Sequence, residues 1–562
     1  MVFTPAAAEQ RFVLDHIVGI AELTDTDMVD AVLDGVGQFA EGEWAPLKRV
    51  GDVIGAKWTD DGVKMPDGFP QAYQAYVEGG WGTIGVPEAH GGQGMPFAIQ
   101  TAVLETLGTA NMGFALCPTL TVGAIEALAH HGTPEQQALY LPKLATGEWT
   151  GTMNLTEPQA GSDVGALRAK AEPIGDGKWS VSGVKIYISY GDHDLAQNIV
   201  HLVLARTPDA PEGTRGISLF LVPKYRLNED GTPGAFNDVR AVSIEHKMGL
   251  HASPTCVLSF GDNGECVGEL IGPVGGGMRA MFTMMNNARL NVGLQGVQVA
   301  EAATQKAVHY ALDRVQSARA GVAGGKPVRI VEHPDVRRML LRMKAQTQAA
   351  RALVYYAAGM VDRAYAGDAE AKARLELLTP LAKAHATDIG CEVSSIGIQV
   401  HGGMGYVEET GAAQFFRDAR ITPIYEGTNG IQAADLVGRK LAQDNGGVFA
   451  RLIEDMRRDA EGTDLRALVE LCDETGRRMQ GLDHDDRLAA SYPFLTMLST
   501  AVCGWLMERQ ARATGDDEFG AMKRTVARFY VEQVVPEALG LRAAATAGAD
   551  RLYEVEAEAF AA

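Results

Sequence analysis

The hydrophobic period of this chain changes twice along its length, and the two changes set its architecture. From about Arg11 to Gly147 apolar residues recur at helical spacing, as in Met28, Val29, Ala31, Val32, Val36 and Phe39. The clearest interruption is GWGTIGVPEAHGGQGMP, Gly80 to Pro96, which is too glycine-rich to propagate a helix and reads as a loop. Between about Trp149 and Pro273 the pattern becomes short alternating or β-branched runs: WSVSGVKIYIS, NIVHLVLAR, GISLFLVP and TCVLSF, each bounded by Gly, Pro, Asp or Asn. Helical spacing returns after GPVGGGM and runs from Met278 to about Arg439, broken by a polar insertion near SARAGVAGGKP. A last helical segment, about 441–562, carries its own apolar face in Leu495, Leu498, Val502 and Trp505. The expected fold is α+β and mostly helical. It comprises a helical N-terminal domain (1–148), a central β domain (149–275), a C-terminal helical bundle (276–440) and an appended C-terminal helical domain (441–562). A length of 562 residues suits three or four domains.

Composition narrows the function classes. With 46% hydrophobic and 22% charged residues the chain reads as globular, and no run of about 18 uncharged apolar residues suggests an integral membrane segment. Fifty basic against 71 acidic residues leave a net −21, a field that repels a polyanion, so no nucleic-acid partner is expected. The six cysteines are scattered without a CxxC pair, and the opening MVFTPAAAEQRFVLDHIVGI lacks a basic stretch followed by an apolar core. A reducing, cytoplasmic location is the expectation. Thirteen histidines include no HExxH, and no catalytic metal is expected.

Three segments concentrate groups that could do chemistry. LTEPQAGSDVGA, Leu155 to Ala166, puts hydroxyls, acids and glycines in one turn-rich loop; it could meet a polar cofactor, or Thr156, Ser162 and Asp163 could simply cap turns. IQVHGGMGYVEE, Ile398 to Glu409, ends a helix with closely spaced glycines that either admit a ligand to the backbone or merely terminate the helix. It does not follow a strand, as a dinucleotide-binding βαβ fingerprint would require. FFRDARITPIYEGTNGIQ, Phe415 to Gln432, sets Glu426 among Ile424, Tyr425 and Gly427. There a carboxylate would be desolvated and its pKa raised toward that of a general base, unless it is an ordinary exposed glutamate.

Taken together and in this order, LTEPQAGSD, QVHGGMGY with RDARI, and IYEGTNGIQ resemble the signatures of the acyl-CoA dehydrogenase family of flavoproteins. The resemblance spans nearly the whole chain and implies a helical N-terminal domain, a β domain and a C-terminal four-helix bundle. The opening segment, the GGKPVRIVEHPDV insertion and the extra helical tail look like a longer-chain bacterial branch of that family. It implies FAD as cofactor and an acyl-CoA as substrate, with Glu426 as the base that removes the α-proton while the β-hydrogen leaves as hydride.

Carried over position by position, the resemblance puts Leu155, Thr156, Tyr187 and Ser189 against the flavin. Arg314 and Gln316 fall on a segment that reaches the pyrophosphate of a neighbouring subunit's FAD, and Gln399, Gly402, Gly403 and Thr428 on the adenosine side. Ser162, Arg289, Tyr425 and Gly427 fall near the substrate, and the backbone N–H of Glu426 on the thioester oxygen. A homo-oligomer, with a dimer expected, and electron-transferring flavoprotein as electron acceptor are further implications.

Three departures bear on cofactor-edge contacts: Asn154 where a small residue is usual, Gln414 where Lys or Arg is usual, and a longer stretch after Gln316. That stretch carries Lys326 and Arg329, which could meet a phosphate. An acyl-CoA oxidase would use the same residues. A non-catalytic DNA-binding relative is disfavoured, because residues 441–562 hold 14 basic against 22 acidic side chains, a net −8. The acyl group is expected to be short or medium, 3-methylthiopropionyl first and a longer fatty acyl group second.

Overall fold

A computed structural model describes residues 3–319, 321–460 and 464–562. It divides into two compact units, one of Asp34–Ala288 and one of Met1–Leu33 with Arg289–Ala562.

The Asp34–Ala288 unit opens with helices, as the 3.6-residue period requires. Helices Leu47–Ile54, Phe69–Glu78, Phe97–His131 and Pro134–Thr146 close on an aromatic cluster in which Trp44 stacks on Phe114 at 4.2 Å between ring centres. The helical pattern did not disclose a small hairpin between them, β1 (Lys57–Thr59) and β2 (Gly62–Lys64). Phe97–His131 leaves helical geometry at Asn111. It is long and apolar enough by composition to cross a membrane, but 78% of its apolar window is buried inside the protein, as in a core helix. Thr133 and Gln136 form a reciprocal capping box that starts Pro134–Thr146.

The sheet follows. Its strands are β3 (Trp149–Asn154), β4 (Lys170–Gly175), β5 (Lys178–Ser189), β6 (Asn198–Arg206), β7 (Ile217–Pro223), β10 (Val239–Ile244), β11 (Thr255–Phe260) and β12 (Val267–Ile271); β8 (Tyr225–Leu227) and β9 (Pro233–Phe236) form a separate hairpin. The order is β10-β11-β5-β12-β7-β6-β3, with β4 paired to β5 and β6. Buried on both faces, β6 and β7 read as nearly continuous apolar runs. One core joins the sheet to the helices, with Leu128, Leu141 and Leu144 packed against Trp149, Leu202, Leu219 and Ile271.

In the second unit the long helices Pro334–Tyr365 and Ala369–His401 pack side by side with the later turns of Gly277–Asp313. The closest crossing is made by glycine: a Cβ on Gly296 would lie 2.1 Å from the Ala386 carbonyl oxygen, so no larger residue fits there. The appended segment forms Gly447–Asp459, Asp464–Gln480, Ser491–Arg512 and Glu518–Phe529, and Leu495, Leu498, Val502 and Trp505 are all buried along one of these helices.

Candidate functional site

The Glu426 segment is a loop between helices Ala412–Ala419 and Asn429–Asp435. Glu426 and Gly427 both have left-handed backbone, φ +56° and +86°. For a non-glycine residue that geometry costs on the order of 1–3 kcal/mol, so the surroundings must enforce it. They do so by closing the loop: Asn429 N–H donates to the Pro423 carbonyl at 2.9 Å, and Thr428 Oγ1 caps the next helix by accepting from Ile431 N–H at 3.2 Å. The Tyr425 hydroxyl donates to Gln295. Gly427 sits close to Arg289, whose Nη2 would lie 3.8 Å from a Cβ placed there. Among the described residues the backbone N–H of Glu426 meets no protein acceptor.

Electrostatics poise the carboxyl. Burial raises the Glu426 pKa, the Arg289 guanidinium and Lys383 ammonium pull it back, and the net effect is upward from its ordinary value. Lys383, fully buried, is itself lowered to about 8 by burial, although Asp388 and Glu426 oppose that shift. Arg289 is buried, lies 3.9 Å from Asp435, and its Nε has no hydrogen-bond partner among the described residues. This cluster can therefore hold a carboxyl whose pKa is raised above its ordinary value beside two cations.

At another place in the same unit, Tyr310 stacks on His401 at 4.4 Å and so brings the end of Gly277–Asp313 beside the end of Ala369–His401. Arg314 and Gln316 there are exposed and joined at 3.2 Å, and Gln399, Gly402 and Gly403 are exposed with open space before both glycines. Lys326 and Arg329 lie exposed on the adjoining two-stranded hairpin, Val315–Ala318 with Pro327–Arg329.

The Asp34–Ala288 unit holds the remaining residues. The Leu155 loop leaves β3 and is tied down by Lys185 of β5, a fully buried lysine whose Nζ donates to the Leu155 carbonyl at 3.0 Å and to Glu157 Oε1 at 2.7 Å. Glu157 also accepts from the backbone N–H groups of Arg168 and Ala169 at 2.7 and 3.0 Å. Burial would raise its pKa, but Lys185 and these donors outweigh burial and hold it below its ordinary value. Ile186 N–H donates to the Thr156 carbonyl at 2.9 Å, so Leu155 and Thr156 are fixed against β5 through their backbone.

One extra residue on β5 opposite Val257 makes a bulge. There Tyr187 adopts φ +60° and turns outward, 61% exposed, with Ser189 two residues on. An exposed aromatic beside a hydroxyl on a rigid strand offers a flat platform with a hydrogen-bonding edge, suited to a flavin ring. Ser162 is exposed in the loop, while Asp163 caps the following turn by accepting from Gly165 N–H at 3.0 Å. Asn154 is buried and donates to Thr152 Oγ1 at 2.9 Å, so this departure is absorbed inside the sheet. Lys185, Glu157, Lys383 and Asn429 were missed by the sequence reading. A signal existed for Lys185, a lysine at the core-facing parity of an alternating strand, which demands a buried acid.

Comparison with known proteins gives the same direction. Family models described as "Acyl-CoA dehydrogenase, N-terminal domain", "middle domain" and "C-terminal domain" match residues 26–148, 152–263 and 275–441. A fourth, "Acetyl-CoA dehydrogenase C-terminal like", matches 452–556. The chain is 45% identical over 540 residues to 3-methylmercaptopropionyl-CoA dehydrogenase of Ruegeria pomeroyi, covering 91% of each chain. It is 37% identical to a butyryl-CoA dehydrogenase of Syntrophomonas wolfei, covering 95% of this chain and 94% of that one. Among solved structures, butyryl-CoA dehydrogenase from Megasphaera elsdenii superposes with a TM-score of 0.61 at 28% identity, over 74% of this chain and 99% of that one. With the family's three domains matched along its length and a relative 45% identical over 91% of the chain, this chain belongs to the acyl-CoA dehydrogenase family.

Proposed function

We propose that Glu426 is the base that removes the α-proton of a short acyl-CoA thioester, with 3-methylthiopropionyl-CoA the leading substrate and butanoyl-CoA the second. The observation that carries this reading is Glu426 itself, a carboxyl on a left-handed turn, raised in pKa by burial and flanked by Arg289 and Lys383. A base with its pKa moved toward the working pH combines availability with driving force. The reaction class is FAD-dependent α,β-dehydrogenation to the trans-2-enoyl-CoA. When bound, FAD supplies the acceptor for the β-hydrogen, which leaves as hydride.

The residues of this chain do the rest. Tyr187 and Ser189 offer the ring a platform and a hydroxyl, and Leu155 and Thr156 border it on a loop that Lys185 and Glu157 hold still. The Glu426 backbone N–H, free of any acceptor among the described residues, suits the thioester oxygen on which negative charge develops as the α-proton departs. Tyr425, Gly427, Arg289 and Ser162 are assigned to the substrate. Arg314, Gln316, Gln399, Gly402, Gly403 and Thr428 are assigned to the pyrophosphate and adenosine of FAD. Of these, Thr428 already uses its hydroxyl as a helix cap, leaving its backbone for the role. The exposure of the Arg314 and Gly402 groups suits a homodimer in which each serves its neighbour's cofactor.

The remaining assignments are the domain division 1–148, 149–275, 276–440 and 441–562, whose boundaries all fall between secondary-structure elements, a cytoplasmic location, and electron-transferring flavoprotein as acceptor. The substrate assignment rests on the identity to the Ruegeria enzyme. Anaerobic flavin bleaching by 3-methylthiopropionyl-, butanoyl-, octanoyl- and palmitoyl-CoA tests it: the first should act fastest, and faster bleaching by palmitoyl-CoA would overturn the chain-length assignment.

A further inference from the structure

Asn429 closes the Glu426 loop with its backbone and anchors it with its side chain. Its amide N–H groups reach Asp388 Oδ1 at 2.9 Å and the Ala384 carbonyl at 3.0 Å, and its Oδ1 accepts from Lys383 Nζ at 2.8 Å. The other oxygen of Asp388 accepts from the Tyr492 hydroxyl at 2.6 Å. Tyr492 stands on helix Ser491–Arg512 of the appended segment. Tyr492 is 38% exposed, and its hydroxyl is committed to Asp388.

We propose that Tyr492 is a positioning residue for the catalytic base, acting through Asp388 on both Asn429, which closes the loop, and Lys383, the cation beside Glu426. The appended domain would then complete the Glu426 site rather than only extend the chain. This rests on Glu426 being the base.

The charges around the relay fix the direction of its effect. Glu426 faces Arg289 and Lys383; Arg289 faces Asp435, Arg439 and Glu426; Lys383 faces Asp388, Glu426 and Arg289; Asp388 faces Tyr492, Asn429, Lys383 and Arg420. The hydroxyl of Tyr492 stabilises the Asp388 carboxylate, whose pKa burial already raises. Without that donor the Asp388 carboxylate holds Asn429 less firmly, Asn429 in turn holds the Lys383 ammonium less firmly, and that cation is less well kept beside Glu426. The pKa of Glu426 then rises.

The test uses the full-length FAD-loaded enzyme, with anaerobic bleaching by 3-methylthiopropionyl-CoA followed against pH for the unmodified protein, Tyr492→Phe, Asp388→Asn and Glu426→Gln. Amide hydrogen exchange over residues 424–432 is the second readout. The proposal predicts that Tyr492→Phe moves the acid limb to higher pH by about half a unit to one unit, slows bleaching about threefold to tenfold below that limb, and speeds exchange in the segment. Asp388→Asn moves the limb the same way. If Tyr492→Phe and Asp388→Asn only lower the melting temperature while their pH profiles superimpose on that of the unmodified enzyme, the proposal is overturned although Glu426→Gln is inert. If Glu426→Gln bleaches normally, the assignment of the base falls first and the relay with it.

Discussion

Lys383 Nζ donates to Asn429 Oδ1 at 2.8 Å, three residues beyond Glu426, so one buried cation both lowers the pKa of Glu426 and pins the loop that carries it. Arg289 lowers the same carboxyl from the other helix without being held by the loop. Replacing each cation by Met should move the acid limb of the bleaching profile to higher pH, but only Lys383→Met should also loosen the loop. Parallel pH profiles and amide exchange over 424–432 distinguish the two. An acid limb that moves to lower pH in either variant would contradict the electrostatic account.

Glu426 also carries a stability cost of known sign. Its folded pKa lies above its unfolded value, so the cost is absent below the unfolded pKa and appears as pH rises through the folded one. Glu426→Gln should therefore raise the melting temperature at pH 7.5 and leave it unchanged near pH 4. A variant that is destabilised at pH 7.5 would mean that the carboxylate is net stabilised in the folded chain.

The flavin loop offers a contrast between burial and exposure. Lys185→Met leaves Glu157 buried with its backbone donors but without its cation. The expected cost is about 3–5 kcal/mol in a denaturant melt, with weakened FAD binding. Tyr187→Ala removes an exposed ring, so it should leave the melt unchanged and weaken FAD about threefold to tenfold, the worth of one aromatic stack. Equal losses of stability in the two variants would contradict this division of labour.

Lys523 ties the appended domain to the start of the chain. Its Nζ is buried and donates to Glu9 Oε2 at 2.9 Å, Gln510 Oε1 at 2.6 Å and Gln348 Oε1 at 3.2 Å, with the Phe12 ring centre 5.1 Å away. Glu9→Ala strands the ammonium, an expected loss of about 3–5 kcal/mol measured by denaturation of the full chain. A loss below about 1 kcal/mol, the range of exposed pairs, would show that water reaches this site.

The larger features were legible in the sequence because they depend on local periodicity. The helical spacing before Gly147 and after Met278 and the four apolar runs of β5, β6, β7 and β11 lie where the pattern puts them. Strand β3, Trp-Thr-Gly-Thr-Met-Asn, escaped notice although every residue in it is buried, because its polar side chains mimic a turn. Hairpins β1–β2 and β8–β9 were hidden by their charged residues and glycines. Glu426 and Tyr187 announced themselves through recognisable segments. Lys383, Asp388 and Tyr492 did not, since the first two come to Asn429 from a helix more than 40 residues earlier and Tyr492 comes to Asp388 from one more than 100 residues later, and no local pattern records such a meeting.

The most direct test of the account is the visible spectrum of the purified protein before and after anaerobic addition of 3-methylthiopropionyl-CoA, with Glu426→Gln measured beside it. The account predicts a yellow FAD protein whose flavin is bleached, and a yellow variant that bleaches at least about 10²–10⁴ times more slowly while retaining its FAD. A variant that bleaches at the unmodified rate would contradict the assignment of Glu426 as the base.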